Sequence, residues 1–335
     1  MKNQIVSAIA ICLLLSACQS QQEMNAHIGL PTQVKPQMPI KDVYKIASTK
    51  SQKFTINTEQ PTKIIGKQGT IIYIDAGCLT DENGNVVQGQ AEIELVELYS
   101  KSSMFFNNKP TVSDGELLVS GGQIFVQAYQ NKKPLLIGCP QGVAIQMSKE
   151  LENPYEFDVF NGEPQNDGTV NWRINENQEG WFYELAEQEP QQTQQDPDVE
   201  GEGNWNEEET SPYFRFATKQ FGWINCDKFY DLDVEKQDLV VQLKKKPQGK
   251  DYQVKVVAFF DKLLAVMNAY PDAKGNFTLQ NVPIGEPVTV LAVVANKTSI
   301  YFAQQKVKHT GKKEVEVELL VSTPEAVKKQ IEKLN

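Results

Sequence analysis

Imidazole relays, thiolate chemistry and paired carboxylates each demand particular residues at particular spacings, and this chain supplies few of them. It has two histidines. His27 stands in a polar, proline-punctuated segment, and His309 lies in KVKHTGKK, which reads as an exposed hairpin turn. A histidine relay needs an imidazole beside a nucleophile, and neither position offers that. A G-x-S-x-G elbow, an H-E-x-x-H helix and a G-x-x-x-x-G-K loop are missing, which disfavours hydrolase triads, His-rich zinc sites and nucleotide binding, so no cofactor is expected. Carboxylates are abundant, with 43 Asp and Glu. Two acids facing each other across a cleft suffice for glycoside hydrolysis, which keeps a glycan- or peptide-hydrolase open as the alternative function. No local motif selects a pair from so many.

Other residues invite binding rather than catalysis. Asp81, Asn83 and Asn85 alternate in DENGN like calcium ligands, but the glycine stands fourth and no bidentate Glu closes the loop, so an Asn-Gly turn accounts for the pattern. Trp172 and Trp181, with Tyr183, are candidate platforms for a sugar ring and equally candidates for core packing. Trp205, flanked by Asn204 and Asn206 inside an acidic stretch, is a candidate contact for a basic partner, or is solvated. Of the cysteines after residue 18, Cys78 and Cys139 fall in one expected domain and are the candidate disulfide; three buried thiols, Cys226 included, is the other reading. No C-x-x-C spacing suggests zinc or redox exchange.

The amino terminus carries the sharpest signal. Lys2 precedes an apolar run from Ile5 to Leu15, after which the chain turns polar at Gln19. Spanning a bilayer takes about 20 apolar residues, so the run fits a secretory signal rather than a permanent anchor. Leu15, Ser16, Ala17 and Cys18 resemble the L-[SA]-[AG]-C lipobox of bacterial lipoproteins. That resemblance implies a diacylglycerol on the Cys18 thiol, cleavage before Cys18 and acylation of the new amine, which ties the protein to a membrane through its amino-terminal lipid. Gln19 after the cysteine implies the outer membrane, with the periplasmic or surface face left open. Ordinary secretion with cleavage near Ala17 is the competing reading.

Charge is concentrated in one place. From Ile174 to Phe214 there is no Lys or Arg, while twelve Asp and Glu contribute −12 against −10 for the whole chain. The remainder is near neutral, which argues against nucleic acid as a partner. The same stretch is rich in Gln, Pro and Gly and offers little to bury, so residues 187–211 read as an acidic, disordered linker. Residues 18–52, with Pro31, Pro36 and Pro39, read as a flexible tether following the signal peptide at 1–17.

Elsewhere the chain alternates apolar and polar residues between glycine-rich turns. GTIIYID, AEIELVELY, ELLVSG, GQIFVQAYQ and GVAIQM precede the acidic stretch; QDLVVQLKK, DYQVKVVAFF, EPVTVLAVVAN and EVEVELLV follow it. Period two with β-branched enrichment is the half-buried strand pattern. VTVLAVVA is apolar on both faces and is expected to be central. The expected fold is all-β, with β-sandwich domains at 53–186 and 212–335 joined by the linker, and a short C-terminal helix in STPEAVKKQIEKLN capped by Thr323.

Two stretches carry resemblances. GTIIYIDAGCLTDENGNVVQGQAEIELVE, with the Leu117 to Gly122 element after it, is similar to the ZU-type β-sandwich and to stretches of uncharacterised Bacteroidota envelope proteins. Gly275, Phe277, Leu279, Val282, Pro283 and Gly285 in GNFTLQNVPIG resemble the transthyretin-like or carboxypeptidase-regulatory sandwich, although Glu286 and Pro287 stand where that family has an aromatic. Both resemblances imply interaction modules. The expectation is a lipid-anchored cell-envelope protein that binds or scaffolds without catalysis, its partner an envelope protein or a glycan.

Overall fold

The computed structural model describes residues 41–151, 153–175, 213–230, 233–247, 252–296, 299–311 and 314–335. Cys18, Trp181, Trp205 and the expected linker at 187–211 lie outside them. The chain begins with α1 (Lys41–Lys45), β1 (Gln52–Asn57), β2 (Thr62–Ile65), β3 (Ile71–Ile74), β4 (Leu79–Thr80) and β5 (Gln90–Leu98). Helix α2 (Lys101–Phe106) leads to β6 (Val112–Ser113), the long β7 (Glu116–Gln130), β8 (Lys133–Pro134), β9 (Leu136–Ile137) and β10 (Val143–Glu150). Then come β11 (Asp158–Pro164), β12 (Val170–Ile174), β13 (Tyr213–Thr218) and β14 (Gly222–Phe229). The last third holds β15 (Lys236–Lys244), β16 (Gln253–Phe260), β17 (Val266–Asn268), β18 (Tyr270–Pro271), β19 (Phe277–Pro283) and β20 (Pro287–Ala295). It ends with β21 (Ile300–Lys308), β22 (Glu314–Glu318), β23 (Leu320–Ser322) and α3 (Pro324–Glu332).

The fold is all-β, built from two sandwiches. In the first, a sheet ordered β1-β5-β7-β14-β11-β12 faces a sheet ordered β13-β10-β3-β2. Alternation does the work: Ile93 and Leu95 of β5, Ile124 and Val126 of β7 and Ile145 of β10 point into one core, while Glu92 faces outward to pair with Lys53. In the second, β18-β19-β15-β22 faces β17-β16-β20-β21-β23. Its core takes Val256, Ala258 and Phe260 from β16 and Val288, Val290, Ala292 and Val294 from β20. Strand β20 is central, as its uniformly apolar text predicts.

The opposite faces of β16 and β20 are equally dry. Val257, Phe259, Leu291 and Val293 join Val96 and Leu98 of β5, Met104 to Phe106 of α2, Val43 of α1, and Val327 and Ile331 of α3 in a third core. This cluster locks the two sandwiches into one compact body, consistent with residues 39–335 forming one unit. Helix α3 forms as expected, with the Thr323 side chain accepting from the Ala326 amide and Pro324 in the first turn.

Three expectations need correction. Residues 213–229 do not open the second sandwich but complete the first: β13 pairs with β10, and β14 fills the place between β7 and β11. The second sandwich therefore begins near β15, after residue 229. The tether at 18–52 is too long, because α1 docks Val43 into the third core and β1 already starts at Gln52. His309 is buried, not exposed, at 1% accessibility. It shares the parity of Ala303 and Val307 in β21, although Gln305 between them is exposed, so the inward face resumes past the strand's end.

One buried charge illustrates how tightly the first sandwich is closed. Glu97 is fully buried, and its carboxylate accepts from Gln52 Nε2 at 2.7 Å and from the Gln68 and Thr70 amides at 3.0 Å each. Gly66 leaves room for it, since a Cβ there would lie 2.6 Å from the carboxylate.

Candidate functional site

A cavity of about 400 Å³ opens where the two sandwiches meet. One wall comes from the first sandwich: the β6–β7 turn with Asp114, the β11–β12 turn with Gln165, and Asn171 and Arg173 of β12. The other comes from the second: Asn268 of β17, Tyr270 of β18 and Gln280 of β19.

The first wall is held by a strut running from Asn108 to Asp114. Thr111 ties it to the second sandwich, its amide donating to the Val266 carbonyl at 2.8 Å while its hydroxyl accepts from the Val266 amide at 2.9 Å. Trp172 ties it to β12, donating its indole N–H to the Pro110 carbonyl at 2.7 Å. Trp172 is fully buried beside Leu118, Phe160 and Val170. It is therefore core, and it acts on the cavity only by fixing the wall, so the ligand-platform role considered for it is withdrawn.

Asn108 is the hub behind the β11–β12 turn. Its Oδ1 accepts from the Tyr44 hydroxyl at 2.8 Å and from Lys255 Nζ at 3.0 Å, and its Nδ2 donates to the Asp167 carbonyl at 3.3 Å. Lys109 adds a bond from Nζ to the Gly168 carbonyl at 3.1 Å and lies 4.9 Å from the centre of the Trp223 ring. Burial pushes both ammonium groups down, Lys255 to about 7 and Lys109 to about 8. Replacing Asn108 with alanine strands two donors, and chemical denaturation is expected to show a loss of about 2–3 kcal/mol. An unchanged midpoint would remove Asn108 from this role.

Within the cavity, the charges are paired. Arg173 pairs with Asp114 through Nη1 and with Glu163 through Nε at 3.1 Å, and Asn171 exchanges hydrogen bonds with Asp114 at 2.9 and 3.1 Å. Arg173 also borders a second cavity of about 480 Å³ on its other side. Across from it, Asn268 is 6% accessible, and its Nδ2 makes no hydrogen bond of normal geometry, its approach to the Tyr270 hydroxyl falling short of one. Tyr270 stands half exposed, and partial desolvation together with the Asp167 charge raises its phenol above the ordinary range against an opposing pull from Asn268.

The remaining candidates are placed as follows. Cys78 and Cys139 form a disulfide with Cα atoms 4.6 Å apart, at the β4–β9 pairing. Cys226 is a free thiol sealed in the first core, where burial pushes it up and away from the reactive thiolate. DENGN is a turn in which Asp81 accepts from the Asn83 and Asn85 amides, with Gly84 at φ +82°. Among the described residues no group of three or more His, Cys, Asp and Glu stands close enough to hold a metal, and no helix is long and apolar enough to cross a membrane. The residues that line the cavity were not singled out by sequence. Asp114, Asn171, Asn268 and Tyr270 come from separate segments, and each reads locally as an ordinary turn or strand residue.

No family model, curated protein or solved structure matches the chain.

Proposed function

We propose that this chain is a lipid-anchored cell-envelope protein that works by binding, with the cavity between its sandwiches as the ligand seat and no catalytic step of its own. Kinship with the ZU-type and carboxypeptidase-regulatory sandwiches belongs to the same reading, on the residues quoted for each. Asn268 is the observation that carries the binding role. A buried amide left unpaired costs about 1–3 kcal/mol, and a ligand oxygen seated there removes the cost. The hydrolase alternative asks for two carboxylates facing each other across the substrate. In the cavity the carboxylate is Asp114, and it is already neutralised by Arg173.

Anchoring rests on Leu15 to Cys18. A Cys18→Ala variant is expected to move from the membrane fraction to the soluble fraction, and mass spectrometry of the native protein to find acyl chains on Cys18. A variant that still partitions with membranes would sink the lipid anchor while leaving the binding seat untouched.

A further inference from the structure

We infer that the cavity is shaped for a neutral saccharide; this rests on the binding reading above and narrows it to a class of ligand. Charge comes first. Among the lining residues Asp114 and Arg173 carry full charges, and they satisfy each other. Neither charge is left unpaired, Arg173 also holding Glu163 outside the lining, so none is free for a phosphate, a carboxylate or an ammonium group, each of which needs a complementary charge to offset its desolvation.

Hydrogen-bonding capacity comes second. Asn268 and Gln280 present carboxamides with both donors and acceptors, while Asn171, Gln165 and the Thr169 hydroxyl, already bonded to Asp114, the Glu163 carbonyl and Asp167, keep part of their capacity for a ligand. A sugar hydroxyl is likewise donor and acceptor at once, so this set matches a polyol better than it matches a ligand with one polar end. Asn268 gives the match a fixed point, since its buried Nδ2 lacks an acceptor in a wall held by β17 pairing and by the Thr111 strut.

Shape comes third. Tyr270 is 51% accessible at the rim and offers a ring face on which the C–H face of a pyranose can lie, while Val112 and Met267 supply an apolar floor. At about 400 Å³ the cavity is within the range typical of small-molecule sites, about 300–1,000 Å³.

The test uses the full chain in detergent with saturation-transfer NMR and titration calorimetry. Neutral probes are maltose, cellobiose, lactose and N,N′-diacetylchitobiose; charged probes are glucuronic acid, glucose 6-phosphate and glucosamine; a set of tetrapeptides forms a third arm. At least one neutral disaccharide is expected to bind. Tyr270→Ala and Asn268→Ala should each weaken it about tenfold, whereas Tyr155→Ala, an exposed tyrosine outside the cavity, should not. If the Asn268 variant fails to fold, the rim residue Tyr270 carries the test alone. Binding confined to charged sugars or peptides, but sensitive to Tyr270→Ala, overturns the saccharide assignment and leaves the binding role standing. Saccharide binding that ignores Tyr270→Ala overturns the cavity as its seat. If no probe of any arm binds, both the saccharide class and the binding role fail.

Discussion

A specific protease site inserted between residues 187 and 211, then cut, will leave the two pieces in a single particle on gel filtration, and only denaturant will part them. An acidic, proline-rich stretch between two runs of strands suggests the opposite, two domains that drift apart once the connection is lost. Strand pairing decides against it. The carboxy-terminal piece contributes β13 to one sheet of the first sandwich and β14 to the middle of the other, where Gly222 to Phe229 are registered against β7 and Asp158 to Asn161 against β14. Phe214, Phe216 and Ile224 are buried in that core, each worth roughly 1.5–3 kcal/mol, with Cys226 beside them. The third core adds Val96 and Leu98 packed against Phe259 and Leu291 from beyond the cut. Separate elution of two folded pieces under native conditions would contradict this arrangement.

Asp227→Asn will stabilise the protein at pH 8 by roughly 3–5 kcal/mol and flatten the fall in stability between about pH 4 and 8. Asp227 is fully buried on β14, with Oδ1 unpartnered and Oδ2 accepting from Asn225. Burial pushes its carboxyl up to about 8, against partial relief from Ser120, Asn225 and Lys149. A carboxyl whose folded value is raised contributes no penalty below the unfolded value near 3.8. The penalty grows as pH climbs from there and levels off above about 8. An asparagine keeps the acceptor for Asn225 and removes the proton from the balance. Lys255 acts in the other direction, because its lowered value makes stability rise between about 7 and its ordinary range. The measurement is therefore the difference between variant and parent, from denaturant melts at pH 4, 6, 8 and 9. A difference that stays constant with pH would show that Asp227 is ionised throughout.

The strands were largely legible because alternation is a local property. GTIIYID, AEIELVELY and GVAIQM each became a strand, and EVEVELLV became two, β22 and β23, with Val317 inward and Leu320 and Val321 exposed. What failed was punctuation. ELLVSG and GQIFVQAYQ are one fifteen-residue strand, and the glycines between them mark a bulge instead of an end. The register shifts there, with Cys226 opposite Gly122 and Asp227 opposite Ser120, and a Cβ on Gly122 would lie 2.3 Å from the Tyr99 ring. Helix α2 escaped notice because six residues are too few for a helical period. Its Ser100–Ser103 capping box is the signal that finds it.

The site was illegible for a different reason. Asn268 matters because it is buried without a partner, which is a property of the fold around it and of no motif. Tryptophans draw attention by size, yet Trp172 proved to be ballast for the wall. The polar residues that face the cavity are unremarkable until β12 and β17 stand opposite each other.

The position of β14 sets an order of events at birth. Chains made from the amino end ordinarily let the leading domain close before the next one appears. Here β7 and β11 cannot be bridged until Phe229 has emerged, so the ribosome releases more than two-thirds of the chain before the first sandwich has its middle strand. Until then two strand edges stand open side by side, and a nascent chain in that condition is a natural client for a holding chaperone.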